Sequence, residues 1–324
     1  MKHIAIIMGG YSSEFGISLI SGGVVYEYLD KTKYFGYRVH ITREGWFYLD
    51  DNDEKHPIDK NDFSVLVHGK KVYFDAVFNA IHGTPGEDGL MQAYFQLLNI
   101  PQTSCNYYQA ALTFNKRDLL SVLRPYGIKT AKSFYLNHGD AVQPAKIVSE
   151  VGLPCFVKPN RAGSSFGISK VRSEEELTPA IELAYKEDNE IIIESFLDGT
   201  EVSVGVINYK GIVTVLPITE IVSDNDFFDY EAKYLGKSQE ITPARIDNVT
   251  AEKVRLVARK VYETLKMTGF SRSEYIIVDG EPHLLEVNTI PGLTKESLLP
   301  QQAREAGISL TELFDNAIEQ AIQL

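Results

Sequence analysis

Short apolar runs and amphipathic segments alternate along the first hundred residues. The apolar runs that predict strands are residues 3–8, 37–42 and 75–81. A helix is expected to begin near Ser18, and apolar positions at helical spacing predict a second helix over residues 90–98. Strands that alternate with helices are typical of a parallel, doubly wound sheet, so we expect such an N-terminal unit over residues 1–104.

The pattern changes after residue 104. A helix is predicted over residues 108–124, and further on two β-like runs flank a segment rich in glycine and serine. Apolar runs then follow one another closely and predict an antiparallel sheet that contains residues 191–195, 202–208 and 212–219. We therefore expect a central unit over residues 105–190, a C-terminal unit over residues 191–324, and a fold of the α/β (α+β) class.

Composition and charge narrow the possible functions. Of the 324 residues, 44% are hydrophobic and 23% are charged, which is ordinary for a globular protein, and no apolar run is long enough to predict a membrane span. The net charge of −12 argues against general binding of nucleic acid. Cys105 and Cys155 lie far apart without metal-binding spacing, which favours a reduced protein of the cytoplasm.

Residues 158–171, KPNRAGSSFGISKV, form a long glycine- and serine-rich connection between two β-like runs. Loops of this length inside compact domains are uncommon and tend to be functional. Small residues let backbone N–H groups approach an anion closely, and Lys158 adds positive charge. The segment is therefore predicted to be a flap that closes over phosphates.

A late hairpin carries the strongest candidate metal site. Alternation along a strand places Arg272 and Glu274 on one face, and likewise Glu286 and Asn288 on the next strand. Two carboxylates and an amide oxygen suit Mg²⁺, although an exposed hairpin with solvated charges is the simpler alternative. A two-residue turn at Asp279-Gly280 would leave the two glutamates on opposite faces, so we predict an odd-numbered loop with a bulge.

Four further segments contain candidate functional groups, each with a structural alternative. The segments are MGGYSSEFG (8–16), IHGTPGEDG (81–89), NDFFDYEAKYLGKSQEITPA (225–244) and LLEVNTIPGLTKES (284–297). The first two follow predicted strands, where open α/β sheets bind ligands, but the glycine pattern of dinucleotide-binding enzymes is absent. The third is interpreted as a lid or a packed aromatic connection, and the Pro-Gly of the fourth as a simple turn or a source of oxyanion-binding amides.

Taken in this order, the motifs resemble those of the D-alanine–D-alanine ligases of the ATP-grasp superfamily. The resemblance runs from Gly9 to beyond Ser297 and includes HGTPGEDG, the Asn-Lys pair at 115–116, the flap, DYEAKY and EVNTIPGLTKES. It implies an ATP-grasp fold and the ATP-dependent joining of two D-alanines through a D-alanyl phosphate, for peptidoglycan precursors. It also implies Mg²⁺ or Mn²⁺, two ions, and a homodimer.

The resemblance assigns roles to individual residues. Those implied for ATP are Lys116, Lys158, Ser164, Ser165, Gly167, Glu194, Phe196, Leu197, Glu201 and Lys233. Those implied for the first and second substrates are Glu14 and His82, and Ser297 and Leu298. Those implied for catalysis are Glu14, Ser164, Tyr234, Arg272 and Gly292, and the implied metal ligands are Glu274, Glu286 and Asn288.

Some positions depart from the family pattern, and other functions stay open. Glu274 stands where the family has an aspartate, and Ser195 where it has a lysine near adenine. Tyr234 favours an amine as the second nucleophile, because ligases that use D-lactate tend to have phenylalanine there. The alternatives are a ligase that uses D-serine or D-lactate, and a nucleotide-binding module without turnover.

Overall fold

The computed structural model describes residues 1–163, 166–223 and 238–323, which form three β-sheets. The first sheet has seven strands in the order β6-β5-β4-β3-β2-β1-β7. These strands are β1 Lys2–Gly9, β2 Tyr34–Ile41, β3 Trp46–Leu49, β4 Lys55–Asp59, β5 Ser64–Val67, β6 Lys70–Val72 and β7 Ala76–Asn79. The predicted parallel core is confirmed, because β1 pairs in parallel with both β2 and β7.

The sequence prediction missed strands β3 to β6, which extend this sheet in antiparallel fashion. They are short, and of the four only β4 alternates exposed and less exposed positions along its whole length, so the period-two signal is weak. The sheet is covered on both faces. Helix α1 (Phe15–Tyr28) packs on the face that carries Ile4 and Ile6, and helix α2 (Leu90–Leu97) on the opposite face.

The single helix predicted over residues 108–124 is two helices. Helix α3 spans Tyr107–Phe114 and helix α4 spans Lys116–Leu123, and they meet at Asn115, whose extended backbone (ψ 99°) interrupts the helical ladder. The Asn115 side chain accepts a hydrogen bond from the Asp118 amide and so caps α4. Lys116 is therefore the first residue of a helix, and a short 3₁₀ turn follows α4.

The second sheet has four antiparallel strands in the order β10-β9-β11-β8. Its strands are β8 Ser133–Asn137, β9 Cys155–Pro159, β10 Ser169–Val171 and β11 Glu190–Ser195, and its helices are α5 Pro144–Val151 and α6 Leu177–Ala184. Strand β11 was predicted to lie in the sheet that follows. That prediction is wrong, because β11 pairs with β8 and β9, and its Ile191 and Ile193 pack in one core with residues of α5 and α6.

The third sheet is antiparallel, and its main path runs β15-β14-β12-β16-β17, with β13 paired to β12. Its strands are β12 Thr200–Tyr209, β13 Ile212–Val215, β14 Thr219–Ser223, β15 Ser238–Ile241, β16 Phe270–Val278 and β17 Glu281–Asn288. Three helices belong to this part of the chain, α7 Asn248–Thr264, α8 Leu298–Glu305 and α9 Leu310–Gln323. Within the described ranges, no helix is long and apolar enough to cross a membrane.

Candidate active site

One face of the four-stranded sheet is turned toward the six-stranded sheet. Val157 and Ile193 point to the helices on the other side, so strand alternation places Lys158, Ile192 and Glu194 on this inner face. Ile192 shares a hydrophobic core with residues of the six-stranded sheet, including Tyr275. The polar groups of β9 and β11 therefore lie between two sheets.

Lys158 and Glu194 form a nearly buried ion pair on this inner face. Lys158 Nζ lies 2.8 Å from Glu194 Oε2, and the two side chains are only 14% and 3% exposed. Burial lowers the pKa of Lys158, but the negative charges of Glu194, Glu286 and Glu201 outweigh it, and the net pKa is raised. Lys158 is thus held as a cation at a place that several carboxylates share.

Glu194 has unused hydrogen-bonding capacity. Its Oε1 atom is buried and has no hydrogen-bond partner among the described residues. Buried polar atoms without a partner are rare in folded proteins, and a ligand donor group is one explanation for such an atom. The neighbouring wall is aromatic, since the Phe156 and Phe196 rings lie 6.2 Å apart between centroids. Lys170, which sequence reasoning missed, lies over the Phe196 ring at 4.3 Å.

Lys116 connects the flap to the late hairpin. Its Nζ atom donates a hydrogen bond to the Ala162 carbonyl at 2.9 Å and lies 3.1 Å from Glu286 Oε2. Asn160, which is fully buried, fixes the start of α4, because its Oδ1 atom accepts a hydrogen bond from the Arg117 amide and its Nδ2 atom donates to Asn115 Oδ1. The flap strand and the helix that carries Lys116 are therefore tied together.

The hairpin brings the expected metal-binding groups together, but by a different device from the one predicted. Val278 pairs with Glu281, so the loop is the two-residue turn Asp279-Gly280, and the prediction of an odd-numbered loop is wrong. The register shifts within the ladder instead, because Glu274 pairs with Glu286 and Tyr275 with Leu284. Leu285 is the extra residue of a β-bulge, and this bulge sets the two glutamates opposite each other.

Four polar side chains converge on this ladder. Arg272 pairs with Asn288 in the register, two positions from the Glu274–Glu286 pair and therefore on the same face. Arg272 also forms an ion pair with Glu274 and donates a hydrogen bond to Ser203 Oγ at 3.2 Å. Asn288 Nδ2 donates to Glu286 Oε1 at 3.3 Å. Two facing carboxylates and an amide oxygen on rigid strands form a donor set that fits a hard divalent cation.

Glu14 lies beside the flap. A Cβ atom added at Gly163 would lie 2.6 Å from Glu14 Oε2, so the Glu14 carboxylate lies directly against the backbone of the flap. Gly167, at the far end of the flap, has a positive φ of 70°. Ser164, Ser165, Lys233 and Tyr234 lie outside the described residues, and so does most of the predicted lid.

The loop after the hairpin places Gly292 next to Ser297. A Cβ atom at Gly292 would lie 2.7 Å from Ser297 Oγ, and that hydroxyl shares a 2.8 Å hydrogen bond with Thr294 Oγ1. Leu298 is the first residue of helix α8, so its amide is one of the unpaired N–H groups of a helix N-terminus. Glu201 lies on β12, whose neighbour β16 carries Glu274.

His82 and Glu87 lie in the loop after β7 and are buried. His82 Nδ1 lies 2.9 Å from the Ile290 carbonyl and Nε2 lies 2.9 Å from Ser21 Oγ, so both ring nitrogens have protein partners. Burial lowers the pKa of His82. Burial and the charge of Glu14 raise the pKa of Glu87 to about 8, although it accepts hydrogen bonds from the Gly83 and Ile290 amides.

Two antiparallel sheets that enclose lysines from one side and facing carboxylates from the other define an enzyme of the ATP-grasp class. Residues 3–105 match the family profile described as D-ala D-ala ligase N-terminus, and residues 122–319 match D-ala D-ala ligase C-terminus. The chain belongs to the D-alanine–D-alanine ligase family.

Individual relatives agree with this assignment. A D-alanine–D-alanine ligase from Flavobacterium johnsoniae is 76% identical over 319 residues, which cover 98% of this chain and 99% of that protein. The structure of VanG D-Ala:D-Ser ligase from Enterococcus faecalis is 32% identical and covers 99% of both chains with a TM-score of 0.87. The structure of D-alanine–D-alanine ligase from Bacillus anthracis complexed with ATP is 29% identical, with a TM-score of 0.80 over 100% of this chain and 98% of that chain.

Proposed function

We propose that this protein joins two molecules of D-alanine to D-alanyl-D-alanine, with ATP converted to ADP and phosphate, for the synthesis of peptidoglycan precursors. The observation that carries the proposal is the convergence of Lys116, Lys158, Glu274 and Glu286 between the two sheets. This arrangement provides cations for phosphate oxygens beside carboxylates for a metal ion. A D-alanine carboxylate is a poor electrophile until it is phosphorylated, so such a phosphate site is what its activation requires.

ATP binds between the sheets in this proposal. Lys116 and Lys158 contact its phosphates from two directions, and the flap with Ser164, Ser165 and Gly167 lies over them. Adenine lies against Phe196 and Leu197, and its amino group donates a hydrogen bond to the unused Glu194 Oε1 atom. Glu201 accepts hydrogen bonds from the ribose, and Lys233 contacts the phosphoryl group that is transferred.

Glu274, Glu286 and Asn288 would hold Mg²⁺ or Mn²⁺, as two ions. The donor set fits, since the carboxylates face each other in the ladder and the Asn288 amide nitrogen is the atom turned toward Glu286, which leaves its oxygen available. A bound ion of this kind would neutralise charge on the phosphate oxygens. Lys116 and Arg272 neutralise the same two carboxylates in the described structure.

The two amino acids bind next to each other in this proposal, so that the amine of the second can reach the carboxyl carbon of the first. Glu14 holds the ammonium group of the first D-alanine, with His82 nearby, and forms a closing set with Ser164 and Tyr234. Ser297 Oγ and the Leu298 amide receive the carboxylate of the second D-alanine, because a helix N-terminus favours an anion. Arg272 and the Gly292 amide stabilise the oxyanion in this proposal.

The reaction has two chemical steps. The carboxylate oxygen of the first D-alanine bonds to the terminal phosphorus of ATP while the bond to ADP breaks, which forms an acyl phosphate. The unprotonated amine of the second D-alanine then attacks the carbonyl carbon, and negative charge develops on the oxygen next to Arg272 and Gly292. The tetrahedral intermediate collapses with loss of phosphate, and the nitrogen releases its remaining extra proton.

The test is phosphate release by the purified protein with ATP, Mg²⁺ and each of D-alanine, D-serine and D-lactate, with products identified by mass. D-alanyl-D-alanine as the main product is the expected result. A mixed product made only with D-serine or D-lactate present would assign the protein to that alternative. ATP binding without phosphate release under any condition would contradict an enzymatic function.

We also propose that the enzyme is a cytoplasmic homodimer. Helices α2 and α3 present a group of exposed large apolar side chains, which a second copy would cover: Leu90, Leu97, Tyr107 and Tyr108 are 61%, 84%, 47% and 62% exposed. Analytical ultracentrifugation should show a dimer, and Leu97→Lys with Tyr108→Glu should yield a monomer. A wild-type monomer at micromolar concentration would contradict this proposal.

A further inference from the structure

The loop that carries Gly292 is held by residues from the N-terminal part of the chain. Its Ile290 amide donates a hydrogen bond to Glu87 Oε1 at 3.3 Å, and its Ile290 carbonyl lies 2.9 Å from His82 Nδ1. On the other side of Gly292, the Leu293 amide donates to Ser21 Oγ at 3.3 Å. The residues that flank Pro291-Gly292 are thus anchored on both sides.

One consistent pattern of protons satisfies this network. A carbonyl oxygen can only accept, so the proton between His82 and Ile290 belongs to His82 Nδ1. His82 Nε2 must then accept, and the Ser21 hydroxyl donates to it. Ser21 Oγ keeps a lone pair for the Leu293 amide. This pattern requires a neutral His82, which agrees with the lowered pKa that its burial causes.

His82 therefore has no ring nitrogen left for a substrate. Its environment favours a positioning role over the direct contact with the first D-alanine that the family resemblance implied. Ser21 lies within helix α1 and is fully buried, and no motif marked it in the sequence. Its hydroxyl connects the His82 ring to the Leu293 amide, on the backbone after Gly292.

We propose that Ser21, His82 and Glu87 form a clamp that positions the Gly292 amide for the oxyanion of the tetrahedral intermediate. The inference rests on the proposed function, since it assigns these residues to the second chemical step. Oxyanion stabilisation depends on donors that are held in place before charge develops. A displacement of about 1 Å in such a donor can lower a rate by about 100-fold.

The test compares Ser21→Ala with Ser18→Ala. Both serines are fully buried on α1, but the Ser18 hydroxyl accepts a hydrogen bond from the Gly9 amide and donates one to the Ala80 carbonyl, both outside the loop. We expect Ser21→Ala to lower kcat by about 10- to 100-fold. It should weaken inhibition by a phosphinate dipeptide, a tetrahedral mimic, by a similar factor, while KM for ATP stays within about twofold. Ser18→Ala should keep kcat within about twofold.

His82 provides a rescue experiment and covers the case in which Ser21→Ala does not fold. His82→Asn places an amide N–H near the position of Nδ1 and should retain more activity than His82→Ala. If Ser21→Ala matches Ser18→Ala in kcat, or if its loss appears equally in KM for ATP, the clamp is contradicted. Equal activity of His82→Asn and His82→Ala would contradict it as well.

A measurement without turnover separates this inference from the proposed function. Hydrogen exchange of residues 289–293 should be faster in Ser21→Ala than in Ser18→Ala, whatever reaction the enzyme performs. Absence of D-alanine-dependent phosphate release in the wild type would contradict the proposed function, and with it the oxyanion role, but not the anchoring of the loop by Ser21. Unchanged exchange in Ser21→Ala would contradict the clamp alone.

Discussion

The surroundings of Glu274 and Glu286 in this site differ sharply from those of Glu87. Glu274 and Glu286 face each other but each lies beside a cation, Arg272 or Lys116. Glu87 is also buried, and its carboxylate accepts hydrogen bonds from the Gly83 and Ile290 backbone amides. The sequence indicated that these carboxylates lie next to an arginine and an asparagine, because alternation along a strand places Glu274 on the same face as Arg272, and Glu286 on the same face as Asn288. It did not indicate how their charges would be compensated, since Lys116 and Lys158 are remote in sequence.

Replacement of Glu286 by glutamine tests whether its single negative charge is required for activity. Glu286→Gln keeps the size of the side chain but removes the charge that faces Glu274 and pairs with Lys116. We expect phosphate release to fall by about 100-fold or more, because metal binding and transition-state neutralisation both depend on this charge. The melting temperature should change by only a few degrees, about the effect of 1 kcal/mol.

The matched control is Glu263→Gln on the surface of α7, where Glu263 forms an exposed ion pair with Arg259 at 3.8 Å. This variant should keep full activity. Phosphate release at the wild-type rate in Glu286→Gln would contradict the proposal that Glu286 is a metal ligand.

Glu87 predicts a pH dependence of stability. Burial and nearby carboxylates raise its pKa from 4.5 to about 8 in the folded protein. Between these two values the folded state holds a proton that the unfolded state releases, so stability falls as the pH rises through this window. The stabilisation is fully present below about pH 4.5 and is lost as the pH rises past about 8. Its magnitude is on the order of a few kcal/mol.

Urea unfolding of the ligand-free protein between pH 5 and 8 measures this effect. Glu87→Gln cannot titrate, so its free energy of unfolding should change less with pH than that of the wild type. Parallel curves for the two proteins would show that Glu87 does not hold its proton as described.

At the scale of elements, the β16–β17 hairpin shows how local chemistry and register combine. The Asp279-Gly280 signal predicted a turn, and both residues have positive φ, 50° and 71°, as a type I′ turn requires. The bulge at Leu285 has no comparable signal, because an extra residue in a strand depends on the ladder that forms around it. The prediction that Glu274 and Glu286 lie opposite each other is therefore correct, but the cause is the bulge at Leu285 and not an odd-numbered loop.

Two glycine substitutions test this description with opposite signs. A Cβ atom at Gly280 would meet only Thr250 Oγ1 at 3.8 Å, so Gly280→Ala has a backbone cost alone, about 1–2 kcal/mol of unfolding free energy. Gly23 lies in α1, is exposed and has nothing within 4 Å of an added Cβ atom. Gly23→Ala should stabilise the protein by about 0.5–1 kcal/mol. Chemical denaturation measures both, and a Gly280→Ala variant as stable as the wild type or more stable would contradict the turn assignment.

At the scale of the whole molecule, the end of the chain packs against its beginning. Helix α9 lies on the N-terminal sheet, where the rings of Phe314 and Phe78 meet edge to face with centroids 5.5 Å apart. Asp315 accepts a hydrogen bond from the Tyr34 hydroxyl at 2.7 Å. The expected division at residues 104 and 190 remains a prediction, and α9 joins the first and last of those units in one core.

Removal of the Phe314 side chain should destabilise the protein as a whole. Phe314 is fully buried, so Phe314→Ala should lower the free energy of unfolding by about 3–5 kcal/mol. Phe35 on β2 is 48% exposed, and Phe35→Ala should cost less than half as much. Denaturant unfolding of both variants tests the prediction. Similar losses would mean that α9 does not share the N-terminal core.

The sequence by itself determined the class of fold, the position of the hairpin turn and the family, because these follow from local periodicity, turn residues and short motifs, while the flap remains a prediction. Tertiary structure decided the break at Asn115, the sheet to which Glu190–Ser195 belongs and the bulge that aligns Glu274 with Glu286. It also decided that Ser21 and His82 meet the loop at residues 290–293. Such features depend on partners distant along the chain, and no local pattern records which distant partner a side chain will find.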